Sequence, residues 1–202
     1  CEVVTKHCPE PVCLVGSSWG AILSLLAAAR LDRKVSKTVL VGSGVFDWDI
    51  AARTNTNRLK RFNNTKFKEV GELQRKLRVN PKDSKMMEKL ATLLLEVDCF
   101  QPITNDLEVE SYQYDILLKV WGELDVIRKD NELLPMVEPA SCQVILVHGD
   151  YDPHPLSGIE PPLRTIFPEL KVHLLKNCGH YPWLEVGAQK EFFDILRKEI
   201  HG

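Results

Sequence analysis

The stretch VCLVGSSWGAILSLLAAARL, residues 12–31, constrains the fold more than any other part of the sequence. Val12–Val15 is a short continuous apolar run, as expected of a strand covered on both faces. It breaks into Gly16-Ser17-Ser18-Trp19-Gly20, and an Ala- and Leu-rich helical run starts at Ala21. That run closes on the charged residues Arg30, Asp32, Arg33 and Lys34. A serine between glycines at a strand-to-helix turn points to strained backbone angles and to close approach of neighbouring chain. It also holds Ser18 out at the C-terminal edge of a sheet, where the positive end of a helix meets developing negative charge.

The rest of the chain repeats the strand-then-helix rhythm. Strand patterns are expected at 37–46, 141–150 and 170–175, and helical ones at 161–167 and 185–200. In the last of these, Phe192, Phe193, Ile195, Leu196 and Ile200 mark one apolar face. Such alternation implies an α/β fold with an open, mainly parallel sheet and helices on both faces. Residues 47–138 differ, being charged, poor in strand patterns and helical near 66–77, 84–97 and 112–129. They are too many for a simple crossover and read as a helical cap or lid over the strand ends. The expected division is a core of residues 1–46 and 139–202 and an inserted cap of 47–138.

Composition narrows the class. The 202 residues are 44% hydrophobic and 27% charged with a net charge of −2, which gives no electrostatic footprint for nucleic acid or an anionic membrane. The longest apolar stretch, Ala21–Ala29, is about half of a bilayer span. Six cysteines are scattered without paired metal-site spacing, several of them inside apolar runs, so a reduced cytoplasmic chain is expected.

A serine hydroxyl needs a base. Of six histidines, His7 precedes the first strand, His173 lies within a strand pattern and His201 ends the chain. His148 closes the third strand. His180, in NCGHYPW, follows the fourth strand directly, on the same sheet edge as Ser18, and is the candidate base. The base needs an acceptor, and HGDYDPHP (148–155) supplies Asp150 and Asp152 at that edge. Asp150 is expected to cap the turn, Asp152 to serve His180, and Asp47 is the alternative acid. Alternate His148, Asp150, Asp152 and His154 invite a metal reading, but the glycine and two prolines argue for a turn rather than a one-faced strand. No metal and no cofactor are expected.

Together LVGSSWGAILSLLAA, VHGDYDPHP and NCGHYPWLE resemble the α/β-hydrolase superfamily, and Gly-Ser-Trp-Gly with the helical insertion resembles its proline iminopeptidase-like branch. The resemblance implies the C-terminal part of an α/β-hydrolase fold, with Ser18 as nucleophile, Asp152 as acid and His180 as base. The backbone N–H of Trp19 would be one oxyanion donor. It further implies acyl transfer to water on a small-molecule or short-peptide substrate, an ester or amide, an N-terminal peptide bond among them. Acidic cap residues would then hold a free amine, the candidates being Glu96, Asp98, Glu108 and Glu110. Trp121 and Trp183 are candidates for an apolar pocket or for core packing. Members of the superfamily carry strands ahead of the turn, so the expectation is that a preceding half of a longer product, or a partner chain, covers the first strand. A non-catalytic ligand- or partner-binding module is the competing reading.

Overall fold

In a computed structural model, which describes residues 1–31, 34–104 and 114–201, four strands form one wholly parallel sheet in chain order. They are β1 (Val12–Ser17), β2 (Val35–Val41), β3 (Gln143–Gly149) and β4 (Lys171–Leu175). The strands bury alternate residues on opposite faces. Leu40, Val144 and Leu146 pack with Ile22, Leu25 and Ala28 of α2 (Trp19–Leu31), with α7 (Leu133–Val137) and with α8 (Glu160–Ile166). Val39, Val41, Ile145, Val147 and Leu175 face the other way, onto Ala188 and onto Phe192 of α9 (Gln189–His201). Each such side chain contributes about 1.5–3 kcal/mol by leaving water, so the two-sided burial holds the sheet centre. At the edge, β1 pairs among the described residues with β2 alone, and Val15 is 48% exposed.

Helices fill the stretch between β2 and β3: α3 (Trp48–Arg61), α4 (Asn64–Val79), α5 (Ser84–Asp98) and α6 (Tyr114–Lys129) precede α7. Side-chain caps explain three of their starts, since Asp47, Asn63 and Asp83 accept from the first-turn N–H groups of α3, α4 and α5. These helices carry a small core of their own, in which Val70, Leu73 and Leu77 of α4 meet Met87, Leu90 and Leu93 of α5. A short α1 (Glu2–His7) precedes β1. No helix among the described residues is long and apolar enough to cross a membrane.

One strand expectation and one helix expectation change. The 37–46 pattern is strand only to Val41, because Gly42 takes φ +51° and donates its N–H to the Val147 carbonyl, turning the chain out of the ladder. Ser43–Phe46 stay buried as loop. The 185–200 pattern begins as helix only at Gln189, since Pro182–Leu184 forms a separate 3₁₀ turn.

The β1–α2 crossing explains one glycine of the opening motif. A Cβ on Gly16 would lie 2.1 Å from the Gly20 carbonyl oxygen and 2.3 Å from Ser24 Oγ. Replacing Gly16 by Ala must therefore push the helix off the strand. The expected cost is about 2 kcal/mol or more, read as a lower urea midpoint at unchanged slope.

Candidate active site

Ser18 stands between β1 and α2 with φ +57°, a left-handed conformation that a non-glycine residue adopts only where surrounding contacts hold it. Those contacts come from the end of β2: Ser18 N–H donates to the Val41 carbonyl at 2.9 Å, and Gly44 N–H donates to the Ser18 carbonyl at 3.3 Å. Trp19 lies in the first turn of α2, where backbone N–H groups lack intrahelical acceptors.

On the other side of the same loop sits a buried acid–imidazole pair. His180 Nδ1 donates to Asp152 Oδ2 at 2.8 Å, with both side chains at or below 1% exposure. Gly42 makes the approach possible: a Cβ there would lie 2.7 Å from the His180 carbonyl, 3.0 Å from its Nδ1 and 3.2 Å from Asp152 Oδ2. Burial by itself would raise the Asp152 carboxyl, but His180 and His154 outweigh it by charge attraction and hydrogen bonding and hold it well below the usual range. Ser18, Asp152 and His180 thus gather around the Val41–Gly42 end of β2. Among the described residues the Ser18 hydroxyl makes no hydrogen bond to His180.

Asp152 serves more than His180. Its Oδ1 accepts from the His154 backbone N–H at 2.8 Å and from His154 Nδ1 at 2.7 Å, and the His154 and His180 rings stack with centroids 4.5 Å apart. His148 Nε2 donates to the His154 carbonyl at 3.0 Å, which leaves His148 Nδ1 buried, unbonded and 3.7 Å from Asp152 Oδ2. Burial lowers His148 and brings His154 to about 4, so both are neutral near pH 7. The ligand-type atoms of Asp152, His154 and His180 lie within 4.8 Å of one another. The two histidines, however, spend Nδ1 as donors to the carboxylate, which leaves no lone pair there for a cation.

The loops that carry this pair are pinned from the inserted helices. Asp98 at the end of α5 accepts the His180 N–H on its carbonyl at 2.7 Å. Its carboxylate is held by Arg58 of α3 through two 2.7 Å bonds. On the same helix Asn57 donates to the Pro153 carbonyl at 2.9 Å, and Arg61 donates to the carbonyls of Val97 and Tyr151 at 2.7 Å each. Glu185 completes the clamp. Fully buried, it accepts from Gly179 N–H at 2.8 Å and from Phe100 and Gln101 N–H at 2.7 Å each. Sequence reasoning missed Arg58, Asn57, Arg61, His154 and Glu185 as parts of this site. Only His154 had a signal, two residues from the expected acid.

The remaining expectations separate. Asp150 is exposed, its Oδ1 3.4 Å from Cys178 N, and Asp47 caps α3. Asp98 has its carboxylate on Arg58, and Glu96 lies exposed on the surface with Lys66. Glu108 and Glu110 lie outside the described residues. Trp121 of α6 is half-buried against Trp19, centroids 6.2 Å apart, so it borders the Ser18 turn. Trp183 packs with Tyr181 and Phe192 on the α9 face. A cleft of about 350 Å³ lies between Phe46–Asp49 and Arg128–Leu134 and shares no lining residue with the Ser18 group.

Known proteins give the same picture of the fold. The sequence matches the family model described as "Alpha/beta hydrolase family" over residues 1–194. Solved structures similar to the chain include the proline iminopeptidase of Mycobacterium smegmatis, at 14% identity and TM-score 0.62, covering 98% of this chain and 68% of that one. VinJ follows the same course at 11% identity and TM-score 0.63, over 99% of this chain and 69% of that one. An esterase from Exiguobacterium antarcticum does so at 15% identity and TM-score 0.59, over 100% and 70%. At these identities the likeness is one of fold. No curated protein matches the sequence.

Two outcomes are expected. Replacing Glu185 by Gln puts an amide N–H against buried backbone donors and should cost about 2–3 kcal/mol, read as a lower urea midpoint. His154 titrates at 6.5 unfolded and about 4 folded, so the unfolded chain binds more protons between those values. Its share of stability is complete above pH 6.5 and falls on acidification toward pH 4 by on the order of 3 kcal/mol. The check is urea unfolding at successive pH values, where a flat midpoint across that window would contradict the assignment.

Proposed function

The chain belongs to the alpha/beta hydrolase family, and from that membership we propose that it is a serine hydrolase working through Ser18, His180 and Asp152. The observation that carries this reading is the single loop at the end of β2. Its Val41 and Gly44 hold Ser18 in a left-handed turn, while its Gly42 makes room for the Asp152–His180 pair.

The chemistry follows from those positions. Ser18 Oγ attacks a substrate carbonyl carbon while His180 Nε2 takes the hydroxyl proton. The carbonyl becomes an oxyanion, to which Trp19 N–H is the expected donor, helped by the positive end of α2. Asp152 fixes the His180 tautomer and stabilises the imidazolium. Collapse of the intermediate breaks the bond to the leaving alcohol or amine, which receives the proton from His180. Water then attacks the acyl-Ser18 ester by the same route, releasing the acid and restoring the hydroxyl. We take residues 47–138 as the cap above this site, because α3 reaches from it to the loop of Asp152 and Asp98 of α5 to that of His180.

A small ester or amide is the favoured substrate over an N-terminal peptide bond. A peptide amine would need free acidic partners, and Asp98 and Glu96 are engaged by Arg58 and Lys66. Glu108 and Glu110 are the acidic candidates left.

A fluorophosphonate probe tests the reading directly. Intact mass should show one adduct on the chain and none on Ser18→Ala, and Asp152→Asn should slow labelling by about three to four orders of magnitude. Absence of an adduct on the folded parent would overturn the proposal. Hydrolysis of p-nitrophenyl acetate should exceed that of proline p-nitroanilide in kcat/KM, and the reverse order would restore the peptide reading.

A further inference from the structure

One carboxylate with two imidazoles is more than a nucleophile–base–acid relay requires. His180 needs a single oxygen of Asp152, and it takes Oδ2 at 2.8 Å. The other oxygen is claimed twice by a single residue, through the backbone N–H and Nδ1 of His154. His154 is itself held from behind, its carbonyl accepting from His148 Nε2 and its ring lying against that of His180 at a 30° interplanar angle. Pro153 and Pro155 on either side restrict the backbone that aims it.

We propose that His154 is a positioning residue for the hydrolytic reaction: its Nδ1–H holds Oδ1, so that the Asp152 carboxylate cannot rotate and Oδ2 stays aimed at His180 Nδ1. The proposal rests on the reading of Ser18, His180 and Asp152 given above. Two physical constraints support it. A carboxylate removed from water needs donors on both oxygens, and without the ring Oδ1 would keep only the His154 backbone N–H, a weaker hold against rotation about the Cβ–Cγ bond. The second imidazole must also stay neutral, because a charged ring stacked 4.5 Å away would oppose the imidazolium that forms on His180 during the reaction. The ionisable groups around His154 are Asp152, His180, His148 and Arg58, and burial is the largest influence on it, favouring the neutral ring. His154 thereby donates without competing for charge.

The effect on the base has a definite sign. With the Nδ1–H donor gone, more of the Asp152 charge is left to stabilise protonated His180. The acid limb of the pH–rate profile should then move up, while the loosened carboxylate slows the reaction.

The experiment is the second-order rate of Ser18 labelling by a fluorophosphonate, followed against pH for the parent chain, His154→Phe and His154→Asn. Labelling forms the Oγ–P bond, expels fluoride and passes the serine proton to His180, so it reports the base without a known substrate. His154→Phe keeps a stacked ring and loses the donor. Its rate should fall about 10- to 100-fold, as when a group orienting a functional side chain is removed, and its acid limb should rise by about one pH unit. His154→Asn keeps an N–H where Nδ1 was and should stay within a few-fold of the parent, with the limb unmoved. A parent-like rate and profile in His154→Phe would overturn the proposal, and so would an equal loss in both variants.

A second measurement needs neither folding of a variant nor turnover. Proton NMR of the ¹⁵N-histidine-labelled parent should show two imidazole Nδ1–H protons downfield of the amides, one on His154 and one on His180. Finding His154 as the Nε2–H tautomer would overturn the assignment. If the parent took up no probe, the hydrolase reading would fall instead, and the NMR result would still decide whether His154 holds Asp152.

Discussion

A carboxylate taken wholly out of water has to be surrounded by donors, and the site is organised around that requirement. Asp152 is the group concerned: two imidazoles and one backbone N–H supply its bonds, and one of the imidazoles arrives from a distant segment. His154 comes with the Asp152 turn itself. His180 comes from the loop after β4, and Gly42 has to be glycine for that loop to close over the end of β2. The left-handed turn at Ser18 is held by the same end of β2, so Ser18 and the Asp152–His180 pair share one support.

Two other buried carboxylates do for the surroundings what Asp152 does for the centre. Glu185 gathers three backbone N–H groups, from Gly179 in the His180 loop and from Phe100 and Gln101 just after α5. Asp98 takes the fork of Arg58 on its side chain while its carbonyl receives the His180 N–H. A buried Arg–carboxylate pair is weak evidence for stability, because desolvation cancels much of the attraction. Its consequence here is geometric: it ties α3 and α5 to the residue that holds His180. Packing of α3 against α5 and placement of the imidazole therefore meet at one residue, Asp98.

Much of this was legible along the chain. The apolar run in 141–150 marks a strand covered on both faces, that at Val12–Val15 marks the edge strand, whose Val15 stays 48% exposed, and the glycines around Ser18 mark a turn that ordinary residues resist. The strand before and helix after it, with Asp152 and His180 in loops after later strands, placed three chemically suited residues at one edge before any contact was known. The boundaries were less legible. The pattern reads as strand through Val45 and Phe46 because they are apolar, yet they are apolar as buried loop. Gly42, whose positive φ ends the ladder, looks in sequence like any other glycine.

What the sequence by itself determined is whatever depends on neighbours in the chain. That covers the alternation of strand and helix, the strained turn at Ser18, the order serine–aspartate–histidine and the helical character of residues 47–138. Period, glycine placement and capping residues encode these locally. Only the tertiary structure decided who partners whom across tens of residues. Asp98 could not be told from a substrate-binding acid until Arg58, forty positions earlier, was seen to hold it. Nothing in the sequence distinguishes Glu185, which the fold buries among three backbone donors. A carboxylate looks the same in sequence whether it meets water, a guanidinium or a row of N–H groups. Burial makes the choice, and burial is a property of the assembled fold.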